Sequence, residues 1–339
     1  MRARLGEIDQ KANTARVTGN GFMQMLTEKS FQGDQLEKPT ELTVHWNKAM
    51  FFNGQIAIFE GRVQAEQNSS RLLCEEMQAF LDRPVSFKEG EKGGQSASVR
   101  DLVCDKKVRI DDEKREGTVL VQKMRLVSPS VALNKEDSVL NASGPGMLYL
   151  LQLGTKGDSP LPGAAPPAPA QPGKKEEKEL TLTRIEYQLH FDAHDRLLGN
   201  DKARMAVFNG DVDLFNLPTD TLDQAIDPNK LSPGAMHLHC EKLHVLSQRL
   251  PGGGTTQQME AYKKVTVESQ EFWGRADVVK YDEAKQLVIL EAAQNGVATI
   301  HRTVVQAGES STLKGEKIKY FRKTNVVEVD KGTVIDLGN

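Results

Sequence analysis

The sequence has few of the residues that mark specialised classes of protein. Three cysteines in 339 residues cannot form the disulfide framework of a small secreted domain. Aromatic residues make up 6 %, and the net charge of −3 comes from acidic and basic residues scattered along the chain. There is no basic stripe with interleaved aromatics, so nucleic-acid binding has little support. No apolar run is long enough to predict a transmembrane helix.

Residues 1–16 are polar and lack the apolar centre of a signal peptide. We therefore expect either a cytosolic protein or the part of an envelope protein whose targeting segment or anchor lies outside this sequence. The polar, abrupt beginning favours the second interpretation. We predict that this segment is flexible.

The cysteines and histidines do not suggest a metal centre. Cys74, Cys104 and Cys240 each lie in a strand-like segment and precede an acidic residue, a setting typical of small buried strand residues. The sequence does not define their redox state. His237 and His239 alternate with Cys240, so they face away from it, and we predict no metal site.

The acidic residues do not suggest catalysis either. Asp192, His194 and Asp195 are close in sequence, but no nucleophile or third group is placed with them. A carbohydrate-active β-enzyme would need paired carboxylates on one concave face, whereas these acidic residues occupy outward positions. We predict that the protein is not an enzyme and uses no cofactor.

The most informative stretch runs from Ala57 to Asp82. Apolar residues occupy alternate positions from Ala57 to Ala65, which is typical of a β-strand buried on one face. The alternation restarts at Leu72 and slips by one residue after Cys74. Such a slip predicts a β-bulge.

The same two strands recur later in the chain. The pattern A-x-F-x-G-x-V occupies 57–63 and again 206–212. The pattern L-x-C-E-x-[ML]-x-[AV] occupies 72–79 and again 238–245. Two patterns that recur in the same order indicate a duplicated β-protein.

The repeats also set the predicted domain boundaries. The E-L-T run at 41–43 matches that at 179–181, so the Pro- and Ala-rich stretch 154–178 is interpreted as a long loop inside the second copy. No segment shows a sustained helical stripe, and we predict an all-β fold. The predicted parts are a flexible segment (1–16), a first unit (17–141) and a second unit (142–339).

These motifs resemble the OstA-like (LptA/LptC) family of lipopolysaccharide transport. A strand of the form F-x-G-x-V, a polar gap and L-x-C/A-[DE] is similar to that family's repeat. The stretches Ala276–Asp282, Leu287–Leu290 and Leu313–Tyr320 are similar to its A-D-x-x-x-Y-D … L-x-G … G-x-x-I-x-Y pattern. Together the motifs cover most of residues 41–335.

The resemblance implies two tandem β-jellyroll (taco-like) units, stacked into an elongated structure whose sheet can be continuous. It implies a periplasmic protein of the cell envelope that bridges membranes in lipopolysaccharide transport and outer-membrane assembly. An apolar groove would shield the acyl chains of lipopolysaccharide or a related lipid while the sugars stay in water. The implied protein partners are other OstA/Lpt-like jellyrolls, joined edge to edge.

The inward apolar residues of the repeated strands are the candidate groove lining. Burying an acyl chain yields about 0.8 kcal/mol per methylene, so such a groove needs no catalytic group. The same residues can instead pack two sheets together. The alternative function is accordingly a structural β-repeat scaffold that binds protein partners through its sheet edges. The candidate lining residues are Phe59, Val63, Leu73, Met77, Phe208, Val212, Leu238 and Leu243.

Overall fold

The computed structural model confirms an all-β protein. Strands take 77 % of the chain, and its described residues contain no helix. Much of the predicted loop 154–178, namely residues 156–177, lies outside the part that the structure describes. The described residues are 2–29, 35–86, 97–155, 178–198, 201–249, 255–269, 272–294, 296–304, 309–321, 324 and 326–336.

In that part of the chain, no helix is long and apolar enough to cross a membrane.

The strands of the first half are mostly long, and most of them follow one another through short turns. They are β1 (Arg2–Asp9), β2 (Thr14–Lys29), β3 (Gln35–Trp46), β4 (Ala49–Phe52), β5 (Ile56–Gln67), β6 (Ser70–Leu81), β7 (Val99–Glu116), β8 (Val119–Asn134), β9 (Val139–Ser143) and β10 (Gly146–Thr155).

The strands of the second half repeat this arrangement and add shorter strands at the end. They are β11 (Lys178–Tyr187), β12 (His190–Leu198), β13 (Asp201–Pro218), β14 (Met236–Arg249), β15 (Thr255–Ser269), β16 (Phe272–Asp282), β17 (Leu287–Glu291), β18 (Ala298–Val304), β19 (Glu309–Gly315), β20 (Lys317–Phe321), β21 (Val326–Asp330) and β22 (Thr333–Asp336).

The chain forms two compact units, each with its own buried face. Unit 1 holds β1 to β6, most of β7 and β8, and β9, and unit 2 holds most of the remainder. Unit 1 comprises Met1–Lys114, Met124–Gly146 and Asp192–Asp195, and unit 2 comprises Arg115–Lys123, Met147–Phe191 and Arg196–Asn339.

Alternation of apolar and polar residues decides which face of each strand is buried. In β5, Ala57, Phe59, Val63 and Ala65 are buried, whereas the other residues from Ile58 to Gln64 are partly or fully exposed. The Asn53-Gly54 turn joins β4 to β5 as a hairpin, with Phe52 opposite Ala57. Asn53 accepts a hydrogen bond from the backbone N–H of Ile56 through its side-chain oxygen at 2.8 Å, which fixes that turn.

A row of β-bulges crosses the sheet of unit 1. Between β5 and β6 the register shifts after Glu60, where Gly61 and Arg62 both have positive φ angles of 81° and 46°. Between β6 and β7 it shifts again, from Leu73 to Glu76. This shift confirms the bulge predicted from the slipped alternation, and it is what returns the residues after Cys74 to the inner face.

Unit 2 repeats this backbone position for position. Gly210 and Asp211 have positive φ angles of 81° and 42°, as Gly61 and Arg62 do. Val212 faces Cys240 in β13 and β14 just as Val63 faces Cys74 in β5 and β6. The matched strands are β3 and β11, β4 and β12, β5 and β13, β6 and β14, and β7 and β15.

Hydrogen bonds at the first turn of each repeat fix the alignment of β3 with β11. The N–H of Lys48 donates to the carbonyl of Glu60 at 3.0 Å, and the N–H of Leu189 donates to that of Asn209 at 3.0 Å. The residue equivalent to Val44 is therefore Ile185, because Val44 faces Ala65 and Ile185 faces Leu214. The match of the two E-L-T runs was wrong by three residues, since pairing with the next strand sets the register.

The amino-terminal segment differs from its prediction. Residues 1–16 were predicted to be flexible, but Arg2–Asp9 forms β1 and pairs antiparallel with β2 from Arg2 opposite Phe22 to Asp9 opposite Thr14. The segment is too polar to show an alternating pattern, and its backbone hydrogen bonds to β2 determine its conformation.

Candidate functional site

An apolar cavity of about 240 Å³ lies in unit 1 against the inner faces of β2 to β7. For comparison, an engineered apolar cavity of about 150 Å³ is large enough to bind benzene. Among the described residues that line it, all but one are apolar. The lining residues are Ala15, Met23, Met25, Leu42, Val44, Met50, Phe52, Ala57, Phe59, Ala65, Met77, Ala79, Leu81, Val85, Val99, Leu102 and Lys135.

The floor of the cavity is shielded from solvent and packed from behind. Val44, Phe59 and Ala65 are each at most 2 % exposed. Trp46, itself buried, packs beside Phe59 with ring centroids 5.5 Å apart and so supports it from outside the cavity. A wall held in this way excludes water without needing a ligand to order it.

Small and flexible residues leave the space open. Ala57 and Ala79 face each other across β5 and β6, so two short side chains meet where larger ones would fill the interior. Methionines contribute much of the remaining wall, and their unbranched thioethers adapt to irregular apolar shapes. The wall therefore suits a flexible hydrocarbon better than a rigid ligand.

The rim of the cavity reaches solvent. Met25 and Phe52 are half-buried, and Val85 is 36 % exposed. Val85 is fixed there by two hydrogen bonds, from its N–H to the carbonyl of Gly54 at 2.6 Å and from the side chain of Asn13 to its carbonyl at 2.8 Å. A chain entering from solvent would pass these apolar side chains first.

A hydrogen-bonded pair anchors the segment next to this rim. The carboxylate of Asp82 accepts hydrogen bonds from the N–H of Ser98 at 2.9 Å and from its hydroxyl at 3.0 Å. Burial opposes ionisation of Asp82, but these bonds and the Arg83 guanidinium outweigh it and lower the pKa of Asp82 to about 2. The connection joins the ends of β6 and β7 beside the cavity.

Lys135 is the single charged residue along the cavity wall that the structure describes. It is 8 % exposed, and its backbone N–H donates to the carbonyl of Arg100 at 2.8 Å. Only apolar atoms form the exposed wall, so Lys135 contributes its aliphatic stem rather than its ammonium group. The interior therefore offers hydrophobic contact and no charge.

The predicted lining residues of unit 1 divide into three groups. Phe59 and Met77 line the cavity. Val63 is buried on the same face of β5 but lies beyond the bulge, outside the lining. Leu73 was placed on the inner face by the prediction, but it is half-exposed, and its neighbour Leu72 is buried there instead.

The predicted lining residues of unit 2 are all buried in that unit's core. Phe208, Val212, Leu238 and Leu243 are each at most 1 % exposed. Phe208 stacks on Phe191 with ring centroids 4.5 Å apart. Whether any of these residues contacts a lipid stays a prediction.

Sequence reasoning missed the contribution of β2. Met23 and Met25 line the cavity, and they alternate with Phe22 and Gln24 along β2. This alternation was the signal that could have identified them. It was not enough to show that β2 shares a cavity with β5 and β6, which are distant in sequence.

The polar clusters elsewhere are structural. Cys74, Cys104 and Cys240 are buried free thiols, and burial raises the pKa of Cys240 to about 12. Asp213 bonds to His237 Nε2 at 2.7 Å and to His239 Nδ1 at 3.0 Å, which ties β13 to β14. Burial opposes ionisation of Asp213, but the two histidines lower its pKa.

Within the described ranges, no group of three or more His, Cys, Asp or Glu side chains is arranged to hold a metal ion.

Fold and cavity together define the class: an all-β protein of duplicated, bulged antiparallel units, one of which encloses an apolar cavity. Residues 230–326, which lie in unit 2, match the family model described as LptA/(LptD N-terminal domain) LPS transport protein. This match confirms the OstA-like family resemblance seen in the motifs and connects the chain, at the level of the family, with lipopolysaccharide transport. No curated protein matches the chain.

Proposed function

We propose that this protein is a non-enzymatic component of the cell envelope that binds the acyl chains of lipopolysaccharide or a related lipid and bridges membranes during lipopolysaccharide transport. The observation that carries the proposal is the apolar cavity of unit 1, whose exposed wall holds no polar atom among the described residues. The family match lies in unit 2, and the shared strand registers extend its relevance to unit 1.

The energetics of the site favour a hydrocarbon ligand. Each methylene that leaves water for this interior contributes about 0.8 kcal/mol. A charged or sugar head group would lose its hydration there without gaining a hydrogen bond, so it would remain outside the rim. The apolar composition of the wall therefore places the acyl chains in the cavity and leaves the head group in water.

Adjacent phenylalanines on β4 provide a matched test of this ligand. Phe52 lines the cavity, whereas Phe51 faces the other side of the strand and is 37 % exposed. Benzoylphenylalanine at Phe52 should form photo-crosslinks to lipopolysaccharide added to the purified protein, and benzoylphenylalanine at Phe51 should not. Equal lipid crosslinking at both positions, or crosslinks from Phe52 to protein alone, would contradict the proposal.

A second measurement separates lipid transport from a purely structural role. Purified protein extracted with organic solvent should release lipid detectable by mass spectrometry, and the empty protein should take up fluorescent lipopolysaccharide. A protein that carries no lipid and takes none up would instead be a scaffold binding partners through its sheet edges.

We further propose a periplasmic location and edge-to-edge association with other OstA/Lpt-like jellyrolls. This association would form through backbone hydrogen bonds at a sheet edge, and β1, which pairs antiparallel with β2, is the strand that we propose to test. Cell fractionation should recover the protein with the periplasm or the envelope. Crosslinks from β1 should reach another jellyroll protein, and recovery in the cytosol would contradict the location.

A further inference from the structure

We propose that the two repeats have different tasks: unit 1 holds the acyl chain, and unit 2 is a closed copy whose larger side chains occupy the equivalent space. This inference rests on the proposed function and assigns the difference to three specificity-determining positions. The equivalent pairs are Met50 and Phe191, Ala65 and Leu214, and Ala79 and Val245.

Backbone geometry alone establishes that these residues are equivalent. Ala65 faces Val44 in the first repeat, and Leu214 faces Ile185 in the second. The two repeats therefore place Ala65 and Leu214 at the same point of the same strand pair.

The other two pairs follow from the same alignment. Ala79 faces Ala57 in β6 and β5, and Val245 faces Ala206 in β14 and β13. Met50 lies two residues after Lys48, whose N–H bonds to the bulge, and Phe191 lies two residues after Leu189, which makes the matching bond.

An aromatic stack in unit 2 takes the place of a flexible side chain in unit 1. Phe191 lies parallel to Phe208 with ring centroids 4.5 Å apart and an interplanar angle of 8°. Tyr187, the equivalent of Trp46, packs beside the same ring at 5.9 Å, so this contact is common to both units and the stack on Phe191 is the difference. In unit 1, Phe59 has Met50 at the equivalent of Phe191, and both residues line the cavity.

At the two aliphatic positions, unit 2 also has the larger side chain. Leu214 has three more carbons than Ala65, and both are 1 % exposed, so the added carbons lie inside the protein. Val245 has two more carbons than Ala79 and is partly buried. The change is reversed at two other lining positions, since Ser247 is the equivalent of Leu81 and Thr183 is the equivalent of Leu42. The added volume therefore belongs to particular positions and not to the whole lining.

Filled and open interiors of one backbone have different capacities for a ligand. A close-packed core accepts an extra methylene only by strain, which costs about 1–3 kcal/mol. An apolar cavity accepts hydrocarbon without that strain. Hydrocarbon binding should thus depend on the side chains at the three positions and not on the backbone fold that the two units share.

Exchanging the side chains between the repeats tests this inference. The closing variant M50F/A65L/A79V gives unit 1 the residues of unit 2, and the opening variant F191M/L214A/V245A does the reverse. Dansyl-labelled undecanoic acid serves as the probe, with fluorescence titration for affinity and stoichiometry and far-ultraviolet circular dichroism for folding. Because removal of core atoms can unfold unit 2, Leu214→Ala alone is a second, milder opening variant.

We expect one probe molecule per wild-type chain, at least about tenfold weaker binding by the folded closing variant, and a second equivalent for an opening variant that folds. Two equivalents on the wild-type chain, or unchanged affinity in the closing variant, would overturn the division of tasks while leaving lipid binding intact. A wild-type chain that binds neither this probe nor lipopolysaccharide would overturn the proposed function as well.

Discussion

At the scale of single residues, the bulges depend on two glycines that occupy equivalent places. Gly61 and Gly210 each have a φ of 81°, a conformation that other residues adopt only with strain. A Cβ at Gly61 would lie 2.7 Å from the Cβ of Lys48, and one at Gly210 would meet the side chain of Leu189. The bulge and the neighbouring turn are therefore packed directly against each other.

Replacing Gly61 with alanine should be costly. We expect Gly61→Ala to lower the free energy of unfolding by about 1–3 kcal/mol, because backbone strain and the contact with Lys48 add together. Gly19→Ala is the matched control, since Gly19 has a φ of 89° and open space around it. Chemical denaturation of both variants measures the difference, and equal losses would show that the contact contributes nothing.

The buried cysteines should be unreactive in the folded protein. Burial raises the pKa of Cys240 to about 12, and a thiol–thiol hydrogen bond with Cys74 together with burial raises that of Cys104. Since the thiolate is the reactive form, we expect negligible labelling by a maleimide at pH 7 and full labelling of three thiols in denaturant. Rapid labelling of the native protein would contradict this burial.

The sequence allowed correct predictions for residues whose environment depends on neighbours in the same strand. The alternation around Phe59 and the slip after Cys74 gave the strands and the bulge, because both depend only on which side of one strand is apolar. It misplaced Leu73, although the alternation of Leu72 with Cys74 puts Leu72 on the inner face. The cavity could not be predicted, because its volume depends on Ala57 and Ala79 facing each other across two strands.

At the scale of elements, Asp82 joins the ends of β6 and β7 beside the cavity rim. Its N–H donates to the carbonyl of Ser98 at 2.9 Å, and its carboxylate accepts the two return bonds. The pKa of Asp82 falls to about 2 from 3.8, so its stabilisation is present above pH 4 and is lost as the pH falls through 2.

The substitution Asp82→Asn should remove this pH-dependent contribution. We expect a loss of about 1 kcal/mol at pH 7, a modest value because solvent screens a partly exposed carboxylate. The stabilities of wild type and variant should converge as the pH is lowered from 4 to 2, measured by urea denaturation at each pH. A difference that stayed constant over this range would assign the effect to something other than ionisation.

The amino-terminal strand shows where element-scale prediction fails. β1 contains few apolar residues and no alternation, so its sequence does not distinguish a strand from a flexible segment. Pairing with β2 supplies the hydrogen bonds that its own side chains do not indicate. The sequence of an edge strand often carries little information about its structure, because its partner decides its conformation.

At the scale of the whole molecule, ligand binding should stabilise the protein unequally. A ligand that binds only the folded form, present at about 100 times its dissociation constant, adds about 2.7 kcal/mol to the stability of the unit that holds it. We expect hydrogen exchange to slow in β2 to β7 on addition of an acyl ligand, and to stay unchanged in β13 to β15. Equal protection of both units would contradict a site confined to unit 1.

The shared row of bulges also bears on how the two units arose. A bulge requires an extra residue in one strand, and independent insertions at matching places in two strands of each unit would be an improbable coincidence. We infer that a single bulged unit was duplicated. The aromatic stack of one unit and the cavity of the other are differences in side chains on a backbone that both units share.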